Sequence, residues 1–393
     1  MVRVLPFDYA VRNLQRRPLR TLLTAGSCAL VAALIASTTA FVQGLGGSSA
    51  SQGREDVAIV LSRVAGSDIM RSAVAAGVAQ EIAASVPGIA RTGGIAAVSP
   101  EIHVGTRLRL GPAPPDGEED HAYEGFVRGV AREAFLVHDA VTIVAGRPPG
   151  PMEVLVGQLV PARLGVSPEH FAIGEKVRLE GGVFTVSGHF VAPGTTIEGE
   201  LWVPVQNLKS LTRRADVSTV FIRLERPQDM ARLELFTRKR LDLELNVMRS
   251  SDYYERLAAW FTPIQILAWV LAAMMTAAVL FGAANTLNAA VQDRIRELAA
   301  LRAVGYRGFA LVLALVQEGV VLAALGGLIG LVLARMVVEG AAVHIAMGAF
   351  QLEIGTSAVL SAFSAVLVLG ILAVLPAAVR VLRMPVALAL KDN

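Results

Sequence analysis

Four long apolar runs interrupt an otherwise mixed sequence of 393 residues. Each is long enough to cross a bilayer, because about 20 apolar residues span the roughly 30 Å hydrocarbon core. The runs predict four transmembrane helices, one N-terminal and three C-terminal, at 21–42, 263–290, 308–335 and 357–380. Short alternating strands and helices fill the segment between the first two runs, 43–262, and predict one large α+β domain.

Local signals within 43–262 predict its elements. A helix is predicted over Asp68–Ser85, because Asp68 is a residue typical of a helix N-terminus and Pro87-Gly88 follow the C-terminal end. Gly-punctuated short strands between Ala145 and Pro204 predict a compact, mostly β module. The Pro- and acid-rich stretch 111–120 predicts an exposed loop.

Short polar segments flank the apolar runs. In 1–20, the apolar spacing of Phe7–Arg17 predicts an amphipathic helix along the inner membrane surface, with an unstructured basic anchor as the alternative. The charged, amphipathic segment 291–307 predicts a short helix between two spans. The segment 336–356 is a short connection, and 381–393 is a polar tail.

Lys and Arg are distributed unevenly among these segments. Basic residues occur before the first run, between the second and third, and after the fourth, whereas Met336–Thr356 contains none. Because Lys and Arg are enriched in cytoplasmic loops, the three basic segments are predicted to be cytoplasmic. Both termini are then cytoplasmic, and 43–262 and 336–356 are extracytoplasmic.

Composition supports a membrane protein and excludes several activities. Hydrophobic residues make up 54% of the chain and charged residues 18%, and the mean hydropathy of +0.55 is too high for an ordinary soluble protein. The net charge of +3 does not predict a nucleic-acid partner, because the Arg residues lie beside apolar runs. The single cysteine, Cys28, excludes an intrachain disulfide and a Cys-based metal site.

Motifs for catalysis are absent from the sequence. It contains no G-x-x-x-x-G-K-[ST] phosphate loop, no H-E-x-x-H pair and no G-x-S-x-G elbow. We therefore expect no catalytic residue, no metal ligand and no cofactor in this chain.

Small and polar residues mark the third run. Small residues recur at four-residue spacing on two lines: Gly319, Ala323 and Gly327, then Gly326 and Gly330. Such lines let helices approach closely, so we expect packing against another span, with a dimer seam as one option. Glu318, beside Gln317, lies inside the run, where a charge costs roughly 2.5–3.5 kcal/mol. A buried polar contact with Gln317 or a neighbouring helix is favoured over a proton relay.

Five segments carry a family resemblance when they are taken in order along the chain. They are AVRNL…LRTLLTAG (Ala10–Gly26), GRPPG…EVLVG…ARLGV…GEKVRL…FTVSG in the outer segment, DRIRELAALRAVGYR (Asp293–Arg307), EGVVLAALGGLIG (Glu318–Gly330) and RMPVALAL (Arg383–Leu390). Together they resemble the permease subunits of MacB/LolC/FtsX-type ABC systems, also called type VII ABC transporters. The outer segment resembles the MacB periplasmic core domain. The family's usual Ile-Gly after the Glu is Leu298-Ala299 here.

The resemblance implies a permease that transmits movement rather than conducting a substrate. MacB carries a fused ATPase domain that this chain lacks, so a separate ABC ATPase subunit is expected to bind ATP and Mg²⁺. ATPase closure would push on Asp293–Tyr306 and change the spacing of the outer domains of two permease chains, in a homodimer or a heterodimer. The expected coupling residues are Asp293, Arg294, Ile295, Arg296, Glu297, Leu298, Ala299, Leu301, Arg302, Ala303, Gly305 and Tyr306.

Those coupling residues divide by chemistry. Four charged ones would contact the ATPase: Arg294, Arg296, Glu297 and Arg302. The apolar ones would seat the segment, and Gly305 would permit the turn into the third span. Charge reversal at Arg294 and Arg302 is then expected to uncouple ATP hydrolysis.

The resemblance also implies a place and a range of functions. The chain is expected in the bacterial inner membrane, with its large domain in the periplasm, exporting or extracting a hydrophobic, peptide or lipoprotein substrate. MacB-like efflux with a periplasmic adaptor and outer-membrane channel, and LolC-like release to a lipoprotein chaperone, both remain open. An FtsX-like regulator of an outer partner such as a cell-wall hydrolase is the alternative, and a sensor subunit coupled to a kinase is a third possibility.

Overall fold

The computed structural model describes residues 18–50, 53–112, 120–339, 341–345 and 348–383. The expected surface helix at Phe7–Arg17, most of the 111–120 loop and nearly all of the closing motif lie outside the described residues. The chain divides into two compact units. The helical unit comprises Met1–Gln43, Thr262–Ala341 and Leu352–Asn393, and the α+β unit comprises Gly44–Phe261 and Ala342–Gln351.

The described part of the chain contains eleven α-helices. They are α1 (Pro18–Ala50), α2 (Val78–Ser85), α3 (Ala134–Val137), α4 (Val160–Leu164), α5 (Val205–Thr212), α6 (Met230–Lys239), α7 (Ser250–Ala259), α8 (Thr262–Asp293), α9 (Ile295–Ala303), α10 (Gly308–Val338) and α11 (Thr356–Arg383).

Four of these helices are long and apolar enough to cross a membrane. They are Thr21–Gly44 within α1, and all of α8, α10 and α11. Buried side chains of α1, α10 and α11 form one cluster that includes Ala32, Ala323 and Val366. A second cluster joins α8, α9, α10 and α11 around Leu287, Leu298 and other apolar side chains. The apolar runs thus form the helical unit, and α9 is packed into it.

A glycine turn ends α9 and starts α10. The N–H of Tyr306 donates to the carbonyl of Leu301 at 3.1 Å, and that of Gly305 to the carbonyl of Arg302 at 3.1 Å. This pair of bonds is a Schellman motif, which needs a left-handed residue at its fifth position. Gly305 supplies it with φ +104°, which a residue with a Cβ rarely adopts.

The α+β unit is built on one ten-stranded sheet. The strands are β1 (Val57–Ser62), β2 (Arg91–Thr92), β3 (Ile95–Ala96), β4 (Val98–Leu110), β5 (Tyr123–Val130), β6 (Thr142–Gly146), β7 (Glu153–Gly157), β8 (Lys176–Leu179), β9 (Gly182–Val191), β10 (Leu201–Pro204), β11 (Thr219–Arg223), β12 (Leu245–Arg249), β13 (Ala342–Ile345) and β14 (Gly348–Gln351). The order is β12-β1-β11-β4-β5-β10-β7-β9-β6, with β8 pairing to β4 and β9. The pairs β2–β3 and β13–β14 are separate, and the second lies within 336–356.

Both faces of β1, an interior strand of the sheet, are buried. On β1, Ala58 and Val60 enter the main core, whereas Ile59 and Leu61 enter a second cluster with Tyr254 of α7. Alternate residues of a strand point to opposite faces, so a strand covered on both sides reads as a continuous apolar run. The sequence VAIVLS has this form.

One sequence prediction in this unit is wrong. The helix expected over Asp68–Ser85 begins only at Val78. The Asp68 carboxylate instead accepts the N–H groups of Met70 at 2.9 Å and Arg71 at 3.3 Å, and Val74 forms a bridge with Val217. Asp68 therefore closes a turn instead of starting a helix, because the chain that follows it pairs with Val217.

Candidate coupling site

The short helix α9 has one buried face and one exposed face. Leu298 and Ala299 are 5% and 0% exposed and belong to the cluster shared with α8, α10 and α11. Ile295, Leu301 and Tyr306 pack against the same cluster. On the other side, the exposed residues are Arg296, Glu297, Ala300, Ala303, Val304 and Gly305. The apolar stripe holds the helix in place, and the charged Arg296 and Glu297 lie among small and apolar residues on the exposed side.

Arg294 is turned into the helical unit. It lies between α8, which ends at Asp293, and α9, and its Nη2 is 3.5 Å from Oε1 of Glu318 on α10. Both side chains are about nine-tenths buried, at 11% and 9% exposure. Among the described residues, no group bonds to Nε of Arg294 or to the buried Oδ1 atom of the half-buried Asn288. Removing one partner of a buried ion pair leaves an uncompensated charge, so this pair strongly resists separation.

Arg302 ties α9 to the end of α11. Its Nη1 donates to the carbonyl of Val381 at 3.2 Å, one of the last carbonyls of α11, which lack partners within the helix. Cationic side chains are favoured at helix C-termini for this reason. Arg294 and Arg302 therefore contact α10 and α11, and any contact of theirs with an ATPase stays a prediction.

The small residues of α10 pack inside this chain. A Cβ added to Gly319 would lie 2.7 Å from the carbonyl oxygen of Gly370 on α11, and one added to Gly327 would lie 3.2 Å from Phe363. Added Cβ atoms at Gly326 and Gly330 would overlap the Ala25 and Ala29 carbonyls of α1. Ala323 is fully buried in the cluster shared with α1 and α11. The two lines of small residues let both neighbouring helices approach closely, and a dimer seam stays a prediction.

The adjacent polar residues of the third run, Gln317 and Glu318, differ in burial. Gln317 is half-buried, whereas Glu318 is 7% exposed and lies opposite Arg294. A buried polar contact with Gln317 or a neighbouring helix is predicted for Glu318 from the sequence, but Arg294 is not predicted as its partner. The two residues are 24 positions apart, on either side of the α9 turn, so sequence spacing alone gave no signal of their contact.

A second set of buried charged and polar side chains, which was not predicted from the sequence, lies in the α+β unit. Arg128 of β5 donates to Oε2 of Glu101 at 2.8 Å and to both oxygens of Glu200 at 2.6 and 2.7 Å. His138, which follows α3, has Nε2 at 2.7 Å from Oε1 of Glu101. His103 of β4 has Nε2 at 3.5 Å from Oε2 of Glu101. We call these five residues the buried charge cluster.

Electrostatics within the buried charge cluster favour the ionised form of Glu101. Burial opposes ionisation of Glu101, but the facing His138 and Arg128 hold the pKa of Glu101 well below its usual range. Burial, reinforced by the charge of Arg128, lowers the pKa of His103. Nδ1 of His103 has no partner among the described residues. His103 also lines a cavity of about 40 Å³, which is large enough for a water molecule.

Metal binding finds no support in the described part of the chain. No group of three or more His, Cys, Asp or Glu side chains there could hold an ion.

Two family models match the chain. Residues 21–234 match the MacB-like periplasmic core domain, and residues 269–386 match the FtsX-like permease C-terminal region. A comparison with curated protein sequences gives no significant match.

Two solved structures are similar to the α+β part. The crystal structure of the periplasmic region of MacB from Actinobacillus actinomycetemcomitans is 13% identical, with a TM-score of 0.39, and the alignment covers 53% of this chain and 94% of that chain. The crystal structure of the extracellular domain of the noncanonic ABC-type transporter YknZ from Gram-positive bacteria is 14% identical, with a TM-score of 0.36, covering 49% of this chain and 100% of that chain.

The family assignment rests on the two models. The MacB-like model alone spans more than half of the 393 residues, and the FtsX-like model covers most of the three C-terminal apolar helices. One N-terminal and three C-terminal apolar helices flank the α+β unit that carries the first match. The chain belongs to the family of MacB/FtsX-type ABC transporter permeases.

Proposed function

We propose that this chain is the membrane subunit of an ABC transporter and that α9 receives the movement of a separate ATPase. The observation that carries the proposal is the two-sided character of α9. Leu298 and Ala299 fasten it to the helical unit, while Arg296 and Glu297 lie on its exposed side. A docked protein can therefore contact the charged side and displace the helix without breaking the apolar contacts.

Two polar contacts support transmission of that displacement. The Arg294–Glu318 pair links the start of α9 to α10, and the Arg302 bond to Val381 links its end to α11. Packed helices behave as rigid elements because protein interiors are dense and poorly compressible. In the proposal, a push on α9 therefore moves α10 and α11 together with it.

The basic segments support an orientation in the bacterial inner membrane. Arg294, Arg296 and Arg302 surround α9, and Arg380 and Arg383 lie at the end of α11. By the positive-inside rule, α9 and both termini are cytoplasmic, and the α+β unit is periplasmic. ATP and Mg²⁺ then bind to the ATPase on the cytoplasmic side, and this chain performs no catalysis.

The proposed activity is mechanical export or extraction of a hydrophobic, peptide or lipoprotein substrate. It uses a second permease chain and, on the outer side, an adaptor and channel or a lipoprotein chaperone. A regulator that moves no substrate and activates an outer partner is the alternative. Substrate-stimulated ATP hydrolysis supports transport, whereas ATP-dependent activation of a cell-wall hydrolase supports the regulator.

The test is a double charge reversal on the exposed side of α9. We expect Arg296→Glu with Glu297→Arg to lower recovery of the ATPase with the purified chain by about tenfold, because interfacial like charges repel. Net charge is unchanged by this double variant. Co-purification from native membranes, with mass spectrometry and quantified ATP hydrolysis, measures the effect.

A matched control exists in the α+β unit. Glu234 and Arg238 of α6 form an exposed i,i+4 pair, with 47% and 80% of the side chains exposed. Reversing both charges there makes the same chemical change away from α9 and is expected to leave ATPase recovery unchanged. Undiminished recovery of the ATPase with the α9 variant would overturn the docking proposal.

A further inference from the structure

The connection between α10 and α11 is long and has regular structure of its own. α10 ends at Val338 and α11 begins at Thr356, whereas neighbouring helices are commonly joined by about 2–8 residues. Within this connection, β13 and β14 pair antiparallel, with Val343 opposite Phe350. Long ordered connections usually have a function, so the β13–β14 pair is a candidate for one.

The β13–β14 pair belongs to the α+β unit, although the helices that it connects belong to the helical unit. The α+β unit includes Ala342–Gln351, and the flanking residues Ala341 and Leu352 are part of the helical unit. β14 lies against the 3₁₀ turn Thr196–Gly199, and β13 lies against α4. An isolated two-stranded pair is at best marginally stable in water, so these contacts stabilise it.

The residues that follow the β13–β14 pair are anchored in the helical unit. Ile354 is 7% exposed and belongs to the apolar cluster shared by α1, α10 and α11. Oγ of Ser357 on α11 donates to Oε1 of Gln43 on α1 at 2.9 Å. Ile354 follows the end of β14 by only three positions. Because so short a stretch of chain lies between them, a displacement of α11 is passed on to β14.

The Thr196–Gly199 turn is bonded to the segment that contains α4. The carbonyl of Glu198 accepts the N–H of Leu159 at 3.0 Å, and the carbonyl of Gly199 accepts Nη1 of Arg163 on α4 at 2.9 Å. The β13–β14 pair therefore lies against two elements that are bonded to each other. Since packed interiors are dense and poorly compressible, a displacement of one moves the other.

The same turn borders two cavities and the buried charge cluster. Ile197 lines a cavity of about 280 Å³, and Thr196 lines the cavity of about 40 Å³ that His103 also borders. Glu200 follows the turn directly, and both of its carboxylate oxygens accept bonds from Arg128. A shift of the turn therefore changes the shape of both cavities and the geometry at Glu200.

We propose that the β13–β14 pair is a mechanical connection through which a displacement of α10 and α11 reaches the Thr196–Gly199 turn. The chain otherwise passes between the two units after Gln43 and before Thr262. The pair positions the turn, and the turn positions the cavity wall and Glu200. The inference rests on the proposed function for the source of the displacement, which is the push on α9. The contact between the pair and the turn is independent of that function.

The first test breaks the pair at one backbone position. The N–H of Leu352 donates to the carbonyl of Ala341 at 2.9 Å and closes the pair. Hydrogen-bonded positions alternate along an antiparallel ladder, so Val343 and Phe350 exchange the next bonds. Val343→Pro removes the N–H donor at that position and is expected to release the pair from the turn.

Hydrogen–deuterium exchange of the full chain in lipid nanodiscs, followed by mass spectrometry, measures the effect. The N–H groups of Leu159 and Glu200 donate to the carbonyls of Glu198 and Ile197, each at 3.0 Å. We expect both amides to exchange about tenfold faster in Val343→Pro, because the released turn opens locally. Unchanged exchange of both amides would overturn the proposal.

Ile95→Pro in the separate β2–β3 pair is the matched control. There the N–H of Ala97 donates to the carbonyl of Ala90 at 2.8 Å. Ile95, opposite Thr92, therefore has the same place in its ladder as Val343. The control removes one bond from a two-stranded pair and is expected to leave exchange of the two amides unchanged.

A crosslink tests the contact without breaking the pair. In a chain with Cys28→Ala, Thr196→Cys on the turn and Ala349→Cys on β14 are expected to be joined by a short bismaleimide. Either cysteine alone gives no such product. Absence of the crosslink in a chain that remains folded would overturn the contact.

The last test separates this inference from the proposed function. The chain is purified with its ATPase and arrested with Mg²⁺, ADP and vanadate, and exchange is measured at α9 and at the Thr196–Gly199 turn. We expect arrest to change exchange at both places in the parent, and only at α9 in Val343→Pro. No response at α9 would overturn the proposed function. A response at α9 with an undiminished response of the turn in Val343→Pro would overturn the connection through the pair.

Discussion

At the scale of single residues, the charged side chains in and next to α9 have different environments. Arg294 and Arg302 contact other helices of the unit, whereas Arg296 and Glu297 are exposed. Sequence alone placed all four in one docking surface, because a helical period does not say which partner lies beside each face. The expected uncoupling by charge reversal at Arg294 and Arg302 therefore has a second physical cause, disruption of the helical unit.

The ion pair between Arg294 and Glu318 yields a stability prediction. Arg294→Met removes the guanidinium that faces the buried Glu318 carboxylate and is expected to cost up to about 3–5 kcal/mol. Arg294→Met combined with Glu318→Leu removes both charges and is expected to recover most of that loss, because apolar replacement of a buried pair is often neutral. Thermal melting and size-exclusion profiles of the purified chain measure both.

An exposed pair on the same helix provides the comparison. Arg335 and Glu339, at the end of α10, lie 2.5 Å apart with 67% and 34% of the side chains exposed. Arg335→Met is expected to cost less than about 1 kcal/mol, as exposed pairs do. A melting temperature for Arg294→Met as high as that for Arg335→Met would contradict a stabilising role for the buried pair.

At the scale of elements, the apolar pattern was the most informative signal. Long apolar runs predicted α1, α8, α10 and α11, because a helix satisfies its own backbone hydrogen bonds and each run matches the bilayer thickness. Contacts among strands were not predictable in the same way. Arg128 is 27 positions from Glu101 and 72 from Glu200, and only the pairing of β5 between β4 and β10 brings them together.

The buried charge cluster, which joins those strands, predicts acid sensitivity of the α+β unit. The folded-state pKa of Glu101 is depressed, so its contribution is present above the unfolded pKa of about 4.3 and is lost as pH falls through the folded value. The folded-state pKa of His103 is also lowered. Below about pH 6.5 the unfolded state then binds a proton that folded His103 does not, and stability falls.

Urea unfolding at pH 7.5 and pH 5.5 measures this dependence. Of the three tryptophans, Trp202 contacts the buried charge cluster, with its Nε1 donating to Glu200 at 3.1 Å. Replacing Trp260 and Trp269 by Phe therefore makes Trp202 the fluorescent reporter. His103→Gln is expected to reduce the loss of stability between the two pH values, by at most about 1.4 kcal/mol per pH unit. The control is His170→Gln, at an exposed histidine. Equal losses in the His103 variant and the parent would contradict the prediction.

At the scale of the whole molecule, the chain consists of two units with different physical demands. The helical unit exposes many large apolar side chains, among them Leu267, Met274 and Phe281, as a lipid-facing surface does. The α+β unit buries its apolar side chains in cores of its own. Basic residues at α9 and in the last turn of α11 are the basis of the proposed orientation of the helical unit.

This orientation predicts the accessibility of single cysteines. The chain has one cysteine, Cys28, which is 2% exposed within α1, so Cys28→Ala provides a cysteine-free parent with little loss of volume. In that background, Ser85→Cys places a thiol on the exposed end of α2, and Ala303→Cys places one on the exposed end of α9. In cells with a permeabilised outer envelope, a membrane-impermeant maleimide is expected to label the Ser85 variant. The Ala303 variant should react only after the inner membrane is broken, and the reverse pattern would place α9 outside and exclude docking of a cytoplasmic ATPase there.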